Sequence, residues 1–368
     1  MTRNSADVII IGAGIMGVSA AWALARSGLK VLVLDRGEPC GAASRAAAGM
    51  LAPQIEAHAA SPLLALGLAA RDRFAELAVE LSATGHDIGY WAGGIARVAF
   101  DDLRAEALRE QVAAQVSLGL DSAWLSEADL RRRHPSISPA ACGALLAPRD
   151  GCVNTVALGE ALIADARALG VTFAQGEVCE VTIAHGQVTG VRSELDSARA
   201  NAVVVAAGAW SAALVGLPRG APVEPVRGQM AAVPWPASEP PAVLFGDEGY
   251  LVARGGEALL GSTMEKVGFV NETTPEGLER IRRGAARLVP SLGDVPFTRT
   301  WSGLRPMSAD GLPIIGADPN VAGLVFATGH GRNGILLGPL TGDIVRDLIV
   351  HRETPWDIAP YSITRFWG

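Results

Sequence analysis

The chain has 368 residues, of which 49% are hydrophobic and 19% charged, and a formal net charge of −7. A chain of this length and composition buries substantial cores, is long enough for two domains, and leaves little room for disorder. Its acidic balance, with no basic run longer than Arg131-Arg132-Arg133, offers nucleic acid no electrostatic footprint. Cys40, Cys142, Cys152 and Cys179 show no zinc-like spacing, so reduced thiols in a cytoplasmic protein and no metal are expected. The chain enters an apolar strand almost at once, and the apolar stretch 8–25 is broken by Gly12, Gly14 and Gly17, which predicts neither a signal peptide nor a transmembrane segment.

Residues 7–11 form an apolar, β-branched run suited to a buried parallel strand. The turn after it places Gly12 for tight geometry, Gly14 for close approach of a pyrophosphate to the backbone, and Gly17 for close packing of helix on strand. Ile15 and Met16 open the helix, whose N-terminal amides would face the phosphates. The helix is predicted over 14–26, with Gly28 ending it. A second strand, 31–35, ends at Asp35, placed to accept hydrogen bonds from ribose hydroxyls, with Arg36 beside it. An acid at that position disfavours a 2′-phosphate and hence NADP, leaving NAD and FAD open.

The stretch 41–53 is rich in alanine and glycine. It fits close approach to a cofactor, with Ser44 and Arg45 as phosphate donors, or a small-residue helix packed on the sheet. Helices are predicted over 61–81 and 101–118, a hairpin over 89–100, and a short capped helix at Ser126-Glu127-Ala128-Asp129-Leu130. Glu56 and His58 fit either an entrance loop or ordinary surface. A helix over 157–169 precedes strands at 171–173, 177–183 and 187–193. A buried strand then runs from Ala202 into Ala207-Gly208, which should deliver its carboxyl end to the cofactor.

Residues 218–241 read as extended and proline-rich. Strands at 230–233, 250–253 and 258–262, with turns at Asp247-Glu248-Gly249 and Arg254-Gly255-Gly256, predict an antiparallel sheet and a second domain. A helix is predicted over 274–288, with Pro275 near its start. The last section carries Trp301-Ser302-Gly303-Leu304-Arg305-Pro306, then a strand from Leu324 into Gly329-His330-Gly331-Arg332-Asn333-Gly334-Ile335, then a helix to about 351.

Three distant segments, 8–17, 202–211 and 324–334, thus share a strand-then-glycine pattern. An extended FAD needs backbone from several places, whereas a simple NAD enzyme uses one such motif, so FAD is expected. The helix beginning near Gly334 would aim its amide end at the pyrimidine side of the flavin.

The N-terminal motif with Ala46-Ala47-Ala48-Gly49-Met50-Leu51, the segment 301–316 and the segment 329–337 resemble the D-amino acid oxidase (DAO) family of FAD-dependent amine oxidoreductases, over essentially the whole chain. Within that family the likeness is greatest to the glycine oxidases of thiamine biosynthesis. The resemblance implies noncovalent FAD and oxidation of glycine, sarcosine or a small D-amino acid to an imino acid by hydride transfer to flavin N5. Hydrolysis to a keto acid or glyoxylate plus amine or ammonia follows, and reoxidation by oxygen, giving hydrogen peroxide, or by another acceptor. It also implies a homo-oligomer. No cysteine follows Cys179, which argues against the covalent FAD of sarcosine oxidases.

By the same resemblance Arg305 grips the substrate carboxylate, a task suited to a planar guanidinium. Arg332 lies beside the flavin, Tyr250 either donates to the carboxylate or sits in the core, and Met50 and Met264 line a small pocket. No residue is assigned acid or base work; His330 is expected to hold its loop. The FAD contacts are expected from Gly12, Gly14, Ile15, Met16, Gly17, Asp35, Arg36, Ser44, Arg45, Ala48, Gly49, Met50, Val178, Ala207, Gly208 and Gly303. Arg305 and the run His330, Gly331, Arg332, Asn333, Gly334 and Ile335 complete that set.

The expected fold is α/β: a Rossmann-like, glutathione-reductase-type FAD domain from 1–85, 145–215 and 300–368, and an α+β substrate domain on an antiparallel sheet from 86–144 and 216–299. Two other functions fit parts of the pattern: an FAD-containing amino acid dehydrogenase, as a subunit of an electron-transfer complex, and an NAD-linked dehydrogenase, against which the repeated glycine motifs speak.

Overall fold

The computed structural model describes residues 5–56, 60–193 and 196–367. His58 lies outside the described residues.

The β-branched run at the N-terminus forms the strand Val8–Ile11 at the heart of a six-stranded sheet. Its order is Ile314–Ala317, Leu324–Thr328, Ala202–Val205, Val8–Ile11, Val31–Asp35, Thr172–Gln175. All neighbours run parallel except the edge strand Ile314–Ala317, which pairs antiparallel with Leu324–Thr328. The chain leaves Val8–Ile11 for Val31–Asp35 on one side and returns on the other with Ala202–Val205, so the strand order reverses at Val8–Ile11. A crevice at the carboxyl ends of the strands flanking such a reversal is where open α/β sheets bind ligands.

The central strands are buried on both faces, and the alternation of their side chains assigns them to two layers. Ile10 and Val204 join a core with the helices Ile15–Arg26, Pro62–Ala83, Thr155–Ala168 and Gly334–Val350, whereas Ile9, Ile11, Val203 and Phe326 face a three-stranded sheet formed by Val178–Ala184, Gln187–Ser193 and Ser197–Arg199. The tight turn needs Gly12: its φ is +101°, and a Cβ there would run into the carbonyl of Ala206. At Gly17 a Cβ would strike the carbonyl of Gly12, so the helix can approach the strand only without a side chain.

The second sheet has eight strands, in the order Arg299–Ser308, Val223–Pro234, Glu257–Gly261, Tyr250–Arg254, Ala242–Phe245, Ile95–Ala99, Gly143–Ala147, Ala123–Ser126. Its pairs are antiparallel apart from Ala242–Phe245 with Ile95–Ala99. One face packs on the amphipathic helix Pro275–Leu288 through Ile281, Ala285 and Leu288. The other carries Met230, Phe245 and Tyr250 toward the first sheet, beside Ala48, Ala52 and Ile55.

Helix ends follow their capping signals. Ser61 accepts from the Leu64 amide at 3.1 Å, Asp101 from Arg104 at 2.7 Å, Ser126 from Asp129 at 3.2 Å and Thr274 from Gly277 at 3.1 Å. Three segments differ from expectation. The predicted hairpin at 89–100 is a single strand, Ile95–Ala99, whose partners come from 143–147 and 242–245, because its apolar residues are buried on both faces. The extended region at 218–241 holds one long strand, Val223–Pro234, with Pro225 accommodated near its start. Its partner Arg299–Ser308, which carries Arg305, pairs with it throughout and so lies in the eight-stranded sheet.

Candidate active site

A cavity of about 740 Å³ runs from the carboxyl ends of the parallel strands to the inner face of the eight-stranded sheet. At its first end lie the glycine turn, Asp35 and Arg36. Asp35 accepts from the Ala13 amide at 2.6 Å and the Gly37 amide at 2.8 Å, which fixes its carboxylate beside the turn. Ser44, from the short helix Ala43–Ala46, accepts from the Ile15 amide at 2.9 Å. A Cβ at Gly14 would meet only Ser44 Oγ, and one at Gly208 nothing within 4 Å, so both backbones border open space. The Arg36 guanidinium lies 3.8 Å over the Trp210 ring and pairs with Glu177 at 3.5 Å. Phe269 stacks on Trp210 with centroids 5.4 Å apart, so the second sheet's loop closes over this end.

The lining also includes Ala48, Gly49, Met50, Val178, Ala207, Gly208 and Gly303. Trp301 donates from Nε1 to the Ala46 carbonyl at 3.0 Å, tying the lining to the eight-stranded sheet. The helix Gly334–Val350 has no side-chain cap at Asn333, and Asn333, Gly334 and Ile335 line the cavity, so the uncapped amide end of a 17-residue helix faces it. These features form a cradle of backbone donors and side-chain-free surface with an acid at one end, which fits an extended dinucleotide.

At the far end stand Arg305, Tyr250, Arg332 and Glu56. Arg305 is partly buried, and its guanidinium donates to Ser262 Oγ at 2.8 Å and to the Thr263 carbonyl at 3.1 Å. Both acceptors are neutral; among the described residues no carboxylate pairs with it. Burial pushes its pKa below the usual guanidinium value, partly offset by Tyr250. The Tyr250 hydroxyl donates to Met230 Sδ at 3.2 Å. Arg332 pairs with Glu56 at 3.0 Å, from the helix Pro53–Glu56. His330 is buried and holds Thr341 through Nε2 at 3.1 Å, while its Nδ1 has no hydrogen-bond partner among the described residues. Burial lowers its pKa to about 3, so the ring is neutral at physiological pH.

The structure therefore brings to one cavity most of the residues singled out in the sequence, and leaves out three of them. Gly17 packs beneath the turn rather than lining the cavity. The Arg45 side chain is exposed, because on the helix Ala43–Ala46 its neighbour Ser44 takes the inward position. Met264 is 44% exposed and lies off the cavity, since the chain leaves the sheet after Gly261 and carries it outward. Sequence reasoning missed Trp210, Met230, Ser262 and Gly228 in the lining. Trp210 falls within the 202–211 motif and was within reach; Gly228 and Met230 occupy strand positions, and Ser262 follows the strand Glu257–Gly261, where only tertiary structure supplies their neighbours.

It also missed a buried polar knot that holds Glu56 in place. Asp150, fully buried, accepts from the amides of Gln54 and Ile55, both at 3.1 Å, and from Arg71 at 3.0 Å. Arg71 also donates to Gln54 Oε1 at 2.5 Å.

Residues 7–348 match the family model described as FAD dependent oxidoreductase. The chain is 35% identical to the glycine oxidase of Geobacillus kaustophilus over 98% of its own length and 97% of that protein. It is 37% identical to the bifunctional protein ThiO/ThiG of Trichormus variabilis over its whole length, and spans 55% of that longer protein. A crystal structure of glycine oxidase from Geobacillus kaustophilus superposes with a TM-score of 0.93 at 34% identity, covering 99% of both chains. No helix among the described residues is long and apolar enough to cross a membrane. With the glycine cradle, Asp35 and the uncapped Gly334 helix converging on one cavity, the chain belongs to the DAO family of FAD-dependent oxidoreductases.

Proposed function

We propose that this chain, with FAD held noncovalently in the cavity, oxidises the amine of a small amino acid such as glycine, sarcosine or a small D-amino acid. The imino acid would hydrolyse to a keto acid or glyoxylate and release amine or ammonia. The observation that carries the proposal is Arg305: a cavity-lining guanidinium that no protein carboxylate neutralises, and which a substrate carboxylate would complete. The similarity to glycine oxidases supports the substrate class.

FAD, when bound, supplies the two-electron acceptor. Its pyrophosphate would be held by the turn Gly12 to Gly14 with Ser44, its ribose by Asp35, and its ring by the Gly334 helix end. Arg305 fixes the substrate carboxylate, and with it the α-carbon, so that orientation does most of the work. Its charge beside the amine favours the neutral amine over the ammonium form. The Tyr250 hydroxyl lies in the same space and would turn its proton from Met230 Sδ to the carboxylate. Neutral His330 would hold the loop 329–333 through Thr341.

The proposal includes the two-part division drawn from the sequence, a cofactor part from 1–85, 145–215 and 300–368 and a substrate part from 86–144 and 216–299. Sheet membership would move Gly143–Ala147 and Arg299–Ser308 to the substrate side. It also includes a cytoplasmic location and a homo-oligomeric state, which cell fractionation and light scattering test. The decisive experiment is an anaerobic screen of small amino acids against the purified yellow protein. One or more should bleach the flavin, and admission of air should restore the colour with hydrogen peroxide if oxygen is the acceptor. A protein that takes up no FAD, or a flavin that none of these amino acids reduces, would overturn the proposal.

A further inference from the structure

The strand Val223–Pro234 pairs with Arg299–Ser308 so that Val226 faces Arg305 and Gly228 faces Gly303. These positions are two apart on each strand and so share one face of the sheet. The Arg305 side chain, rooted opposite Val226, leans along that face and lies over Gly228. A Cβ built on Gly228 would come closer than 3.0 Å to Nη1, Cζ and Nη2 of Arg305 together. No backbone atom is among those three nearest neighbours, and Gly228 is absent from the positive-φ residues. An alanine therefore suits the local backbone, and what it displaces is the guanidinium itself.

Gly261 stands in the same relation to Tyr250: a Cβ there would come within 3.0 Å of the tyrosine Cζ and hydroxyl oxygen and of Met230 Sδ. The carboxylate-facing groups thus rest on bare backbone, although strand interiors disfavour glycine.

Resting on the function proposed above, we propose that Gly228 is a positioning residue for the substrate carboxylate: its missing side chain is the seat that holds the Arg305 guanidinium flat and aimed into the cavity. The contribution is geometric. Arg305 keeps its two neutral acceptors, Ser262 Oγ and the Thr263 carbonyl, only while it lies in this seat. A methyl group at 228 lifts the guanidinium, and the two parallel hydrogen bonds that a carboxylate needs lose their common plane.

The test compares Gly228→Ala with Arg305→Ala in the FAD-loaded protein, using acetate as a carboxylate probe read by its perturbation of flavin absorbance. Gly228→Ala is expected to weaken acetate binding by about 10- to 100-fold. It should raise KM for the reducing amino acid by a similar factor, with kcat changed far less. FAD retention should match the parent, and the melting midpoint should stay within about 2 °C. Arg305→Ala should weaken acetate binding at least as much. If Arg305→Ala loses acetate and Gly228→Ala binds it like the parent, the seat is wrong and the proposed function stands. If both bind acetate like the parent, Arg305 is no carboxylate anchor and both ideas fall. A Gly228→Ala protein that also loses FAD and melts much earlier would make the glycine a folding requirement and overturn the proposal.

Discussion

The two ends of the cavity are built from different kinds of contact. At the dinucleotide end the decisive bonds are close in sequence: Asp35 meets the Ala13 amide 22 residues away, and Ser44 the Ile15 amide 29 away. At the substrate end, Arg305 reaches Thr263 and Ser262 across 42 and 43 residues, and Arg332 meets Glu56 across 276. The first end is one strand, turn, helix and strand, whose spacing must satisfy one ligand shape and leaves a motif. The second is a floor of β-strands on which the side chains of distant segments meet, and no fixed spacing records it.

That contrast can be broken at its seam, at either end, or with acid. The largest effect is expected at the seam, where Arg71 from the helix Pro62–Ala83 meets Asp150 next to the eight-stranded sheet. Arg71→Met strands a buried carboxylate and should cost about 3–5 kcal/mol in urea unfolding. A loss below about 1 kcal/mol would show that the seam is not held there. Next comes Arg305→Ala, expected to lower kcat/KM by on the order of 100-fold or more while FAD affinity stays near the parent value. A parallel loss of FAD would mean that the two ends are one site energetically.

Asp35→Ala is the mirror experiment. FAD binding, followed by flavin fluorescence, should weaken by about 10- to 100-fold with KM for the amino acid little changed in the saturated enzyme. A rise in KM equal to that of Arg305→Ala would dissolve the distinction.

The most gradual effect is that of acid. Burial lowers His330 to about 3 and His134 to about 4 from the usual 6.5, so both rings are neutral in the fold and take up protons on unfolding. Their stabilisation is complete above pH 6.5 and is lost as pH falls toward 3 to 4. The two histidines therefore contribute a decline below about pH 6.5, each with a slope of at most about 1.4 kcal/mol per pH unit, and protonation of Asp150, whose carboxyl burial pushes up to about 7, opposes it. His330→Gln should remove about one proton from that slope. An unchanged slope would place a charged imidazole in the fold.

Legibility in the sequence follows the same division. The strands Val8–Ile11 and Val31–Asp35, the helix between them, and the helices Pro275–Leu288 and Gly334–Val350 all lie close to where periodicity and caps put them. Arg305 and Tyr250 were reached through resemblance, and the structure adds why Arg305 is available: it has only neutral acceptors. Met264 went astray because a methionine in a segment leaving a strand carries no mark of which way it will turn. The hairpin expected at 89–100 failed for a related reason: a strand buried on both faces and its partner strands look alike before they are paired.

Composition and local spacing by themselves determined the dinucleotide end, because a phosphate cradle is written within a single strand, turn and helix. The tertiary structure alone decided which cavity-lining guanidinium, among the described residues, is left without a carboxylate and which glycine lies beneath it. Both depend on the register between Val223–Pro234 and Arg299–Ser308, and a shift of one residue there would turn Arg305 to the opposite face of the sheet.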